Sequence, residues 1–294
     1  MSVLTELQQA VATAVATAAP SIVGIGTRVR GSGVVIADGR VLTNAHNLRG
    51  SETTVRFADG RTARGTVAGA DWDGDLTVIE VDTADATPLA WSDDPAAIGT
   101  PVFAAAASAA GGVRVSVGFV SSVAQPFRGP GGRRIDGSLE HTAPLAPGSS
   151  GSALLDADGK LVGLNTNRVG EGFYLALPAS ASVRARVEAL GRGESPARPR
   201  LGIAVAPAHV ARHLRRATGL PERSGILIRE VEDDSPAEAA GLAQGDLLVA
   251  AGGRPIADLD DLHAALANGL PLDLVLVRGI EERSVTVAAP SAEG

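Results

Sequence analysis

The chain reads as mostly β, with antiparallel barrels followed by a smaller α+β domain. Three observations predict this. From Ser21 onward, short runs rich in Val, Ile and Thr alternate with turn residues and no helical period intervenes, which is how barrel strands are spaced. Ala37-Asp38-Gly39-Arg40, Ala58-Asp59-Gly60-Arg61 and Ala157-Asp158-Gly159-Lys160 each put Asp-Gly between strand-like runs, and that pair accepts the positive φ of a tight hairpin. After residues 191–199, a linker by its Gly, Ser and Pro content, strand-like runs are mixed with capped helices.

Leu4, Leu7, Val11, Val15 and Ala18 recur at helical spacing, so residues 3–18 predict an amphipathic helix stopped by Pro20. The first domain is expected over 21–190. Within it, residues 125–135 carry too much Gly and Pro for a regular element and are expected to be a mobile surface loop. Residues 179–190, with Val183, Val187 and Leu190 in register, predict a closing helix. A second domain is expected over 200–289, ahead of a short tail, 290–294. In it Ser235 caps a short helix with Pro236 at its first position and Gly241 just past its end. Asp258 caps another that runs to about Ala267, with Leu259, Leu262 and Leu266 on one face.

The chemistry points to one stretch, Ala146-Pro147-Gly148-Ser149-Ser150-Gly151-Ser152-Ala153-Leu154-Leu155. A turn this poor in side chains lets consecutive backbone N–H groups converge on one point, which a developing oxyanion requires. Ser150 is the candidate nucleophile, and the N–H groups of Gly148 and Ser150 are the candidate donors. Upstream, His46 follows the β-like run Val41-Leu42-Thr43-Asn44-Ala45, and Asp75 opens the strand Leu76-Thr77-Val78-Ile79-Glu80-Val81. The order His, Asp, Ser separates this chain from α/β-hydrolases, whose nucleophile comes first, and from subtilisins, whose aspartate does. It is the trypsin-like order. Stretches 140–147 and 165–172 flank the nucleophile strand and are the natural walls of a site.

Gly31-Ser32-Gly33-Val34-Val35-Ile36, Leu42-Thr43-Asn44-Ala45-His46, Asp75-Leu76-Thr77-Val78-Ile79 and Gly148-Ser149-Ser150-Gly151, followed by the run Gly241-Leu242-Ala243-Gln244-Gly245-Asp246, together resemble the HtrA/Deg family of serine proteases. The resemblance spans about residues 20–289. It implies a trypsin-like double antiparallel β-barrel with His46, Asp75 and Ser150 as catalytic residues, then a small α+β PDZ-like domain. It implies a substrate pocket rimmed by Asn165, Thr166, Asn167 and Arg168 that favours small aliphatic residues. Leu201, Gly202 and Ile203 match the family's carboxylate-binding loop, which holds a peptide C-terminus added as a strand. The N-terminal segment, 1–20, matches one through which relatives assemble as homotrimers; read from its residues alone, it is equally a lid on the barrel.

The expected function is ATP-independent cleavage of unfolded or damaged proteins through an acyl-enzyme, without cofactor or metal. Two departures from the family bear on it. Asn47 follows His46 where relatives usually carry Val, and Ser152-Ala153 replaces Gly-Pro. Ser152 is expected to resist torsions that a second glycine allows, so that Gly148 could be flipped as in inactive conformers of the family. The alternative is therefore a latent or weak protease that acts mainly as a peptide-binding chaperone or adaptor.

Composition excludes other classes. With 45% hydrophobic and 20% charged residues the chain is globular, and its net charge of -7 argues against a nucleic-acid partner. No cysteine is present, so neither a disulfide framework nor a thiolate nucleophile is available. No P-loop occurs, and His209 and His213 lack the glutamate and third ligand of a helical zinc site. No apolar run approaches the ~18 residues that span a bilayer, and Glu6, Gln8 and Gln9 interrupt any signal-like core. The expected compartment is the cytoplasm, or an extracytoplasmic one if a leader has been removed.

Overall fold

The computed structural model describes residues 2–129, 134–196, 200–206, 208–217, 219–221, 223–266 and 269–289. The chain divides into two compact units, Met1–Pro196 and Ala197–Gly294.

The first unit opens with helix α1 (Val3–Ala18), whose Ser2 cap accepts from Thr5 N–H at 3.3 Å. Two barrels follow. Strands β1 (Ile22–Ile25), β2 (Gly31–Ala37), β3 (Arg40–Thr43), β4 (Glu52–Arg56), β5 (Thr62–Asp71) and β6 (Leu76–Glu80) close in the order β1-β2-β3-β6-β5-β4. Strands β7 (Pro101–Ala107), β8 (Val113–Arg128), β9 (Arg134–His141), β10 (Ala153–Leu155), β11 (Leu161–Arg168) and β12 (Tyr174–Pro178) close as β10-β11-β12-β9-β8-β7. Pairing is antiparallel throughout, and the Asp-Gly turns join β2 to β3, β4 to β5 and β10 to β11. Helix α2 (Ala181–Gly191) then packs on β5 and β6, burying Val187 and Leu190. One apolar cluster joins α1, α2 and both barrels through Ala14, Leu76, Phe103, Leu155 and Leu190.

One expectation fails. Residues 125–128, expected in a loop, continue β8: Gln125 pairs with Ser138, Phe127 with Ile135 and Arg128 with Arg134. Register shifts between 123 and 127 absorb the Pro-containing segment, so the ladder continues past residues that break a regular pattern. The rest of that stretch, 130–133, lies outside the described residues.

The second unit comprises β13 (Ile203–Ala206), α3 (Ala208–Ala217), β14 (Ile226–Val231), α4 (Pro236–Ala239), β15 (Leu247–Ala251), β16 (Arg254–Pro255), α5 (Leu259–Leu266), β17 (Leu272–Arg278) and β18 (Glu281–Val287). Its sheet runs β13-β14-β15-β17-β18, with β16 beside β15. Ser235 Oγ accepts from Glu238 N–H at 3.1 Å and Asp258 Oδ1 from Asp260 N–H at 2.9 Å, which are the caps the sequence predicts. This unit has its own core around Ile226, Ile228, Leu248, Leu262 and Leu274. Buried Asp246 anchors it, accepting both Nε and Nη2 of Arg278 at 2.7 Å. His209 and His213 are exposed on α3, and no metal-binding cluster occurs among the described residues. No helix among them is long and apolar enough to cross a membrane.

Candidate active site

The first barrel carries two of the candidate residues, His46 and Asp75. After β3 the chain makes a 3-10 turn, Ala45–Asn47, which carries His46. Asn44 Nδ2 donates to Asp75 O at 3.0 Å and His46 N–H donates to Asp75 Oδ1 at 3.2 Å, so the two segments are joined before the ring is considered. Asp75 sits between β5 and β6 at φ 55°, a left-handed conformation that Asp adopts more readily than most residues. That turn is built on Asp71, whose Oδ1 takes the N–H of Asp73 and of Gly74 and whose Oδ2 takes Arg186 Nη1 at 3.0 Å.

His46 Nδ1 lies 2.9 Å from both oxygens of Asp75, which is 1% exposed. A carboxylate only accepts, so Nδ1 carries the proton and Nε2 keeps its lone pair for base chemistry. Asp75 Oδ2 also accepts from Thr166 Oγ1 at 2.6 Å. Asp75 is thereby fixed by His46 from its own barrel and by Thr166 from the other.

The second barrel carries the turn that holds Ser150, the candidate nucleophile. Ser149 N–H donates to Ala146 O at 3.1 Å, Gly151 N–H to Asn165 O at 2.7 Å and Ser152 N–H to Ser149 O at 3.0 Å. In the same turn, the N–H groups of Gly148 and Ser150 donate to no acceptor among the described residues. Gly148 takes φ 87°, and a Cβ on Gly151 would lie 2.2 Å from Ser32 O, so both positions require glycine. Ser152, in contrast, has no positive φ, and the torsional conflict expected there does not arise. The Ser150 hydroxyl donates to Thr166 O at 3.4 Å and makes no hydrogen bond to His46 among the described residues. Without a ligand such catalytic bonds are commonly long or unmade, and they tighten on binding.

Sequence reasoning missed a clamp that crosses between the barrels. Ser150 O accepts from Ser32 N–H at 2.8 Å and from Asn47 Nδ2 at 2.9 Å. Gly148 O accepts from Ser32 Oγ at 2.9 Å. Asn47 Nδ2 also reaches Thr43 Oγ1 at 2.9 Å, and that hydroxyl donates to Ser32 O at 2.6 Å. With the carbonyls of Gly148 and Ser150 held, the peptide planes that they share with the N–H groups of Ser149 and Gly151 cannot turn freely, which fixes the turn on either side of Ser150. The available signal was Asn47, which departs from the family's usual residue after the histidine, and Ser32, a lone polar residue in the run Gly31–Ile36.

Of the residues expected at the pocket rim, Thr166, Asn167 and Arg168 line a cavity of about 300 Å³ together with Leu145, Ala146, Pro147, Tyr174 and the nucleophile turn. They lie on strand β11. Asn165 lies outside the cavity and is fully buried. Its Oδ1 accepts from His141 Nε2 at 2.8 Å and its Nδ2 donates to Ser152 Oγ at 2.9 Å. His141 Nδ1 accepts from Ala143 N–H at 3.2 Å, which fixes the neutral tautomer. Burial pushes its pKa down to about 4, against a smaller opposing effect of the Asn165 hydrogen bond.

In the second unit, Leu201 O accepts from Ala237 N–H and Gly202 O from Glu232 N–H, each at 2.8 Å, with Gly202 at φ 79°. Antiparallel alternation then turns the N–H and C=O of Ile203 away from β14, toward the outer edge of the sheet.

Comparison with known proteins places this geometry. A trypsin-like peptidase domain matches residues 31–164 and a PDZ domain residues 199–288. The chain is 32% identical over 289 residues to a putative serine protease, HhoA, of Synechocystis, covering 88% of this chain and 70% of that protein. It is 29% identical to a probable periplasmic DegP-like serine endoprotease of Halomonas elongata, covering 88% of this chain and 56% of that one. The HtrA-type protease AlgW, solved with a decapeptide, superposes over 94% of this chain and 97% of its own at a TM-score of 0.65 and 23% identity. These relatives are named as proteases and endoproteases, which favours the enzyme over the chaperone alternative. The chain belongs to the HtrA/Deg family of serine endopeptidases of protein quality control, a trypsin-like domain followed by one PDZ domain.

Proposed function

We propose that Ser150, His46 and Asp75 are the catalytic triad and that the enzyme cuts unfolded or loosely structured polypeptides through an acyl-enzyme. The observation that carries this reading is the fixed His46 tautomer, with Nδ1–H on Asp75, beside a serine turn that presents two unbonded amides. His46 Nε2 takes the Ser150 proton as Oγ attacks the scissile carbonyl, and Asp75 stabilises the imidazolium formed. The carbonyl oxygen gains charge and is met by the N–H groups of Gly148 and Ser150; each such donor is worth roughly 10² to 10³ in rate. His46 then gives the proton to the leaving amine. Water repeats the sequence on the acyl-enzyme and frees Ser150.

The PDZ domain would bind a peptide C-terminus by strand addition at the outer edge of β13. Leu201, Gly202 and Ile203 would hold the carboxylate. Val3, Leu4 and Leu7 project exposed apolar side chains from α1, which supports assembly through the N-terminal segment, as a homotrimer by analogy with the family. Similarity to a probable periplasmic relative supports an extracytoplasmic site of action, to be read by cell fractionation.

The deciding experiment is fluorophosphonate labelling of the parent and of Ser150→Ala, with and without a peptide ending in an apolar residue. Labelling confined to the parent is expected, together with a drop of about 10⁶ in kcat for the variant. Labelling that rises with peptide adds regulation through the PDZ domain. A parent that labels under neither condition defeats the protease assignment.

A further inference from the structure

The 300 Å³ cavity is bordered by Ser150 and by both unbonded amides, so a polypeptide whose carbonyl is attacked by Ser150 places that residue's side chain in it. This is the P1 side chain. A cavity of this size is at the small end for ligand sites, so few groups in it decide what fits. Leu145, Ala146 and Pro147 form an apolar wall, and Tyr174 lines it from β12. Tyr174 is 8% exposed and stacks on His141, with ring centroids 5.9 Å apart. Arg168 is the one formally charged residue in the lining, and no carboxylate shares it.

The placement of Arg168 is specific. Its Nε donates to Gly170 O at 2.7 Å, its backbone N–H donates to Asn167 Oδ1 at 2.8 Å, and its guanidinium carbon lies 6.0 Å from the centre of the Tyr174 ring. The nearest acid in sequence, Glu171, makes no ion pair with it, and no carboxylate among the described residues neutralises its outer nitrogens. A guanidinium leaves such donors unpaired in a substrate cleft only by remaining solvated until a ligand arrives. An anionic P1 group would meet the free N–H donors of both outer nitrogens in the planar geometry that suits a carboxylate. A basic one would meet like charge.

We propose that Arg168 is a specificity-determining residue that selects an acidic side chain, Glu or Asp, at P1. This rests on the triad reading above and departs from the small aliphatic preference implied by the family resemblance. Arg168 is exposed, so solvent screens part of the attraction and the preference is on the order of five- to tenfold, not thousands.

The test uses the full-length enzyme and internally quenched peptides identical except at P1, which is Glu, Gln or Val. Glu against Gln isolates charge at constant shape. The parent should cut the Glu peptide roughly five to ten times faster in kcat/KM than the Gln peptide, and the ratio should shrink as salt rises. In Arg168→Met the Glu:Gln ratio should fall to about one, whatever the absolute rate, and in Arg168→Glu it should invert. A parent that labels with fluorophosphonate yet cuts Gln or Val as well as Glu overturns the assignment to Arg168 and leaves the triad standing. A parent that neither labels nor cuts any of the peptides overturns both.

Discussion

At the scale of single residues, the site depends on polar side chains that bond across the two barrels, Asn47 to Ser150 O and Thr166 to Asp75 Oδ2. Asn47 fills a tight space: Cβ atoms built on Gly31 and Gly151 would lie 2.3 Å and 3.0 Å from its side chain. Asn47→Asp keeps that shape but replaces a donor with an acceptor facing Ser150 O. Its fluorophosphonate labelling rate should fall roughly tenfold or more while the fold persists by circular dichroism. Thr166→Val likewise keeps the shape and removes the bond to Asp75 Oδ2. A charge-assisted hydrogen bond contributes ~1.5–3 kcal/mol, so kcat should drop about 10- to 100-fold with KM little changed. A KM effect alone would show that Thr166 acts only as pocket wall. His141 makes the site acid-sensitive. Its imidazole titrates near 6.5 in the unfolded chain and at about 4 in the fold, so between those values the unfolded state binds more protons. Stability is complete above pH ~6.5 and declines toward pH ~4, by about 3 kcal/mol in total, with no further loss from this group below that. Urea denaturation at stepped pH on the parent and on His141→Gln should show that slope in the parent and its loss in the variant. Motif and order name His46, Asp75 and Ser150 as candidates, and the structure brings His46 and Asp75 into hydrogen-bond contact. The sequence marked Thr166 only as pocket rim and Asn47 only as a departure from the family; their bonds, like that of Ser32, were not legible, since they arise from contacts across 91, 103 and 116 positions of chain.

Secondary-structure elements show where pattern reading succeeds and where it misleads. Helix α1 has the bounds the sequence predicts, because Ser2 caps its start and Pro20 forbids its continuation. Its buried face is nonetheless Ala14 and Ala18, while Leu4 is 77% and Leu7 43% exposed. Hydrophobicity marked the stripe but not which half of it meets the barrel. Gly159 explains the choice: a Cβ there would lie 2.9 Å from Thr17 Cβ and 3.0 Å from Ala14 O, so the β10–β11 turn and the helix touch only through small residues. Ala14→Glu should therefore destabilise by several kcal/mol, since it forces a charge into that contact. Leu4→Glu should shift monomer stability by less than about 0.5 kcal/mol. If the N-terminal segment joins protomers, Leu4→Glu should also dissociate them, read by sedimentation velocity; an assembly that survives the change would remove α1 from the interface. The β8–β9 hairpin is the opposite case. The Gly and Pro residues of its sequence suggest a loop, but Pro126 falls at a register shift in a ladder that runs on to Arg128, and bulge positions carry no mark in a sequence read one strand at a time.

Taken whole, the molecule consists of two units, each with its own apolar core, and stability follows that division. The Gly241–Asp246 run, which in the sequence served only to suggest a PDZ-like domain, has a physical reason in the structure. Asp246 is buried, takes Ala243 N–H at 2.9 Å across its own turn, and is held from β17 by two bonds to Arg278, whose Nη2 also reaches Gly241 O at 2.9 Å. That one ion pair therefore ties the turn to the sheet, and the Asp246 bonds raise the Arg278 pKa further above its ordinary value. Removing Arg278 strands a buried carboxylate, which costs about 2 kcal/mol or more. Separate cores predict two calorimetric transitions in the full chain, of which Arg278→Ala should lower one and leave the other in place. Because His46, Asp75, Ser150 and the residues bonded to them all belong to the first unit, the fluorophosphonate labelling rate measured without peptide should stay within twofold of the parent's, about 0.4 kcal/mol. A fall in labelling that parallels the lowered transition would mean that the protease unit leans on the PDZ unit for its active geometry. In that event, activation by a peptide C-terminus would be a release of stored coupling, not recruitment of substrate alone.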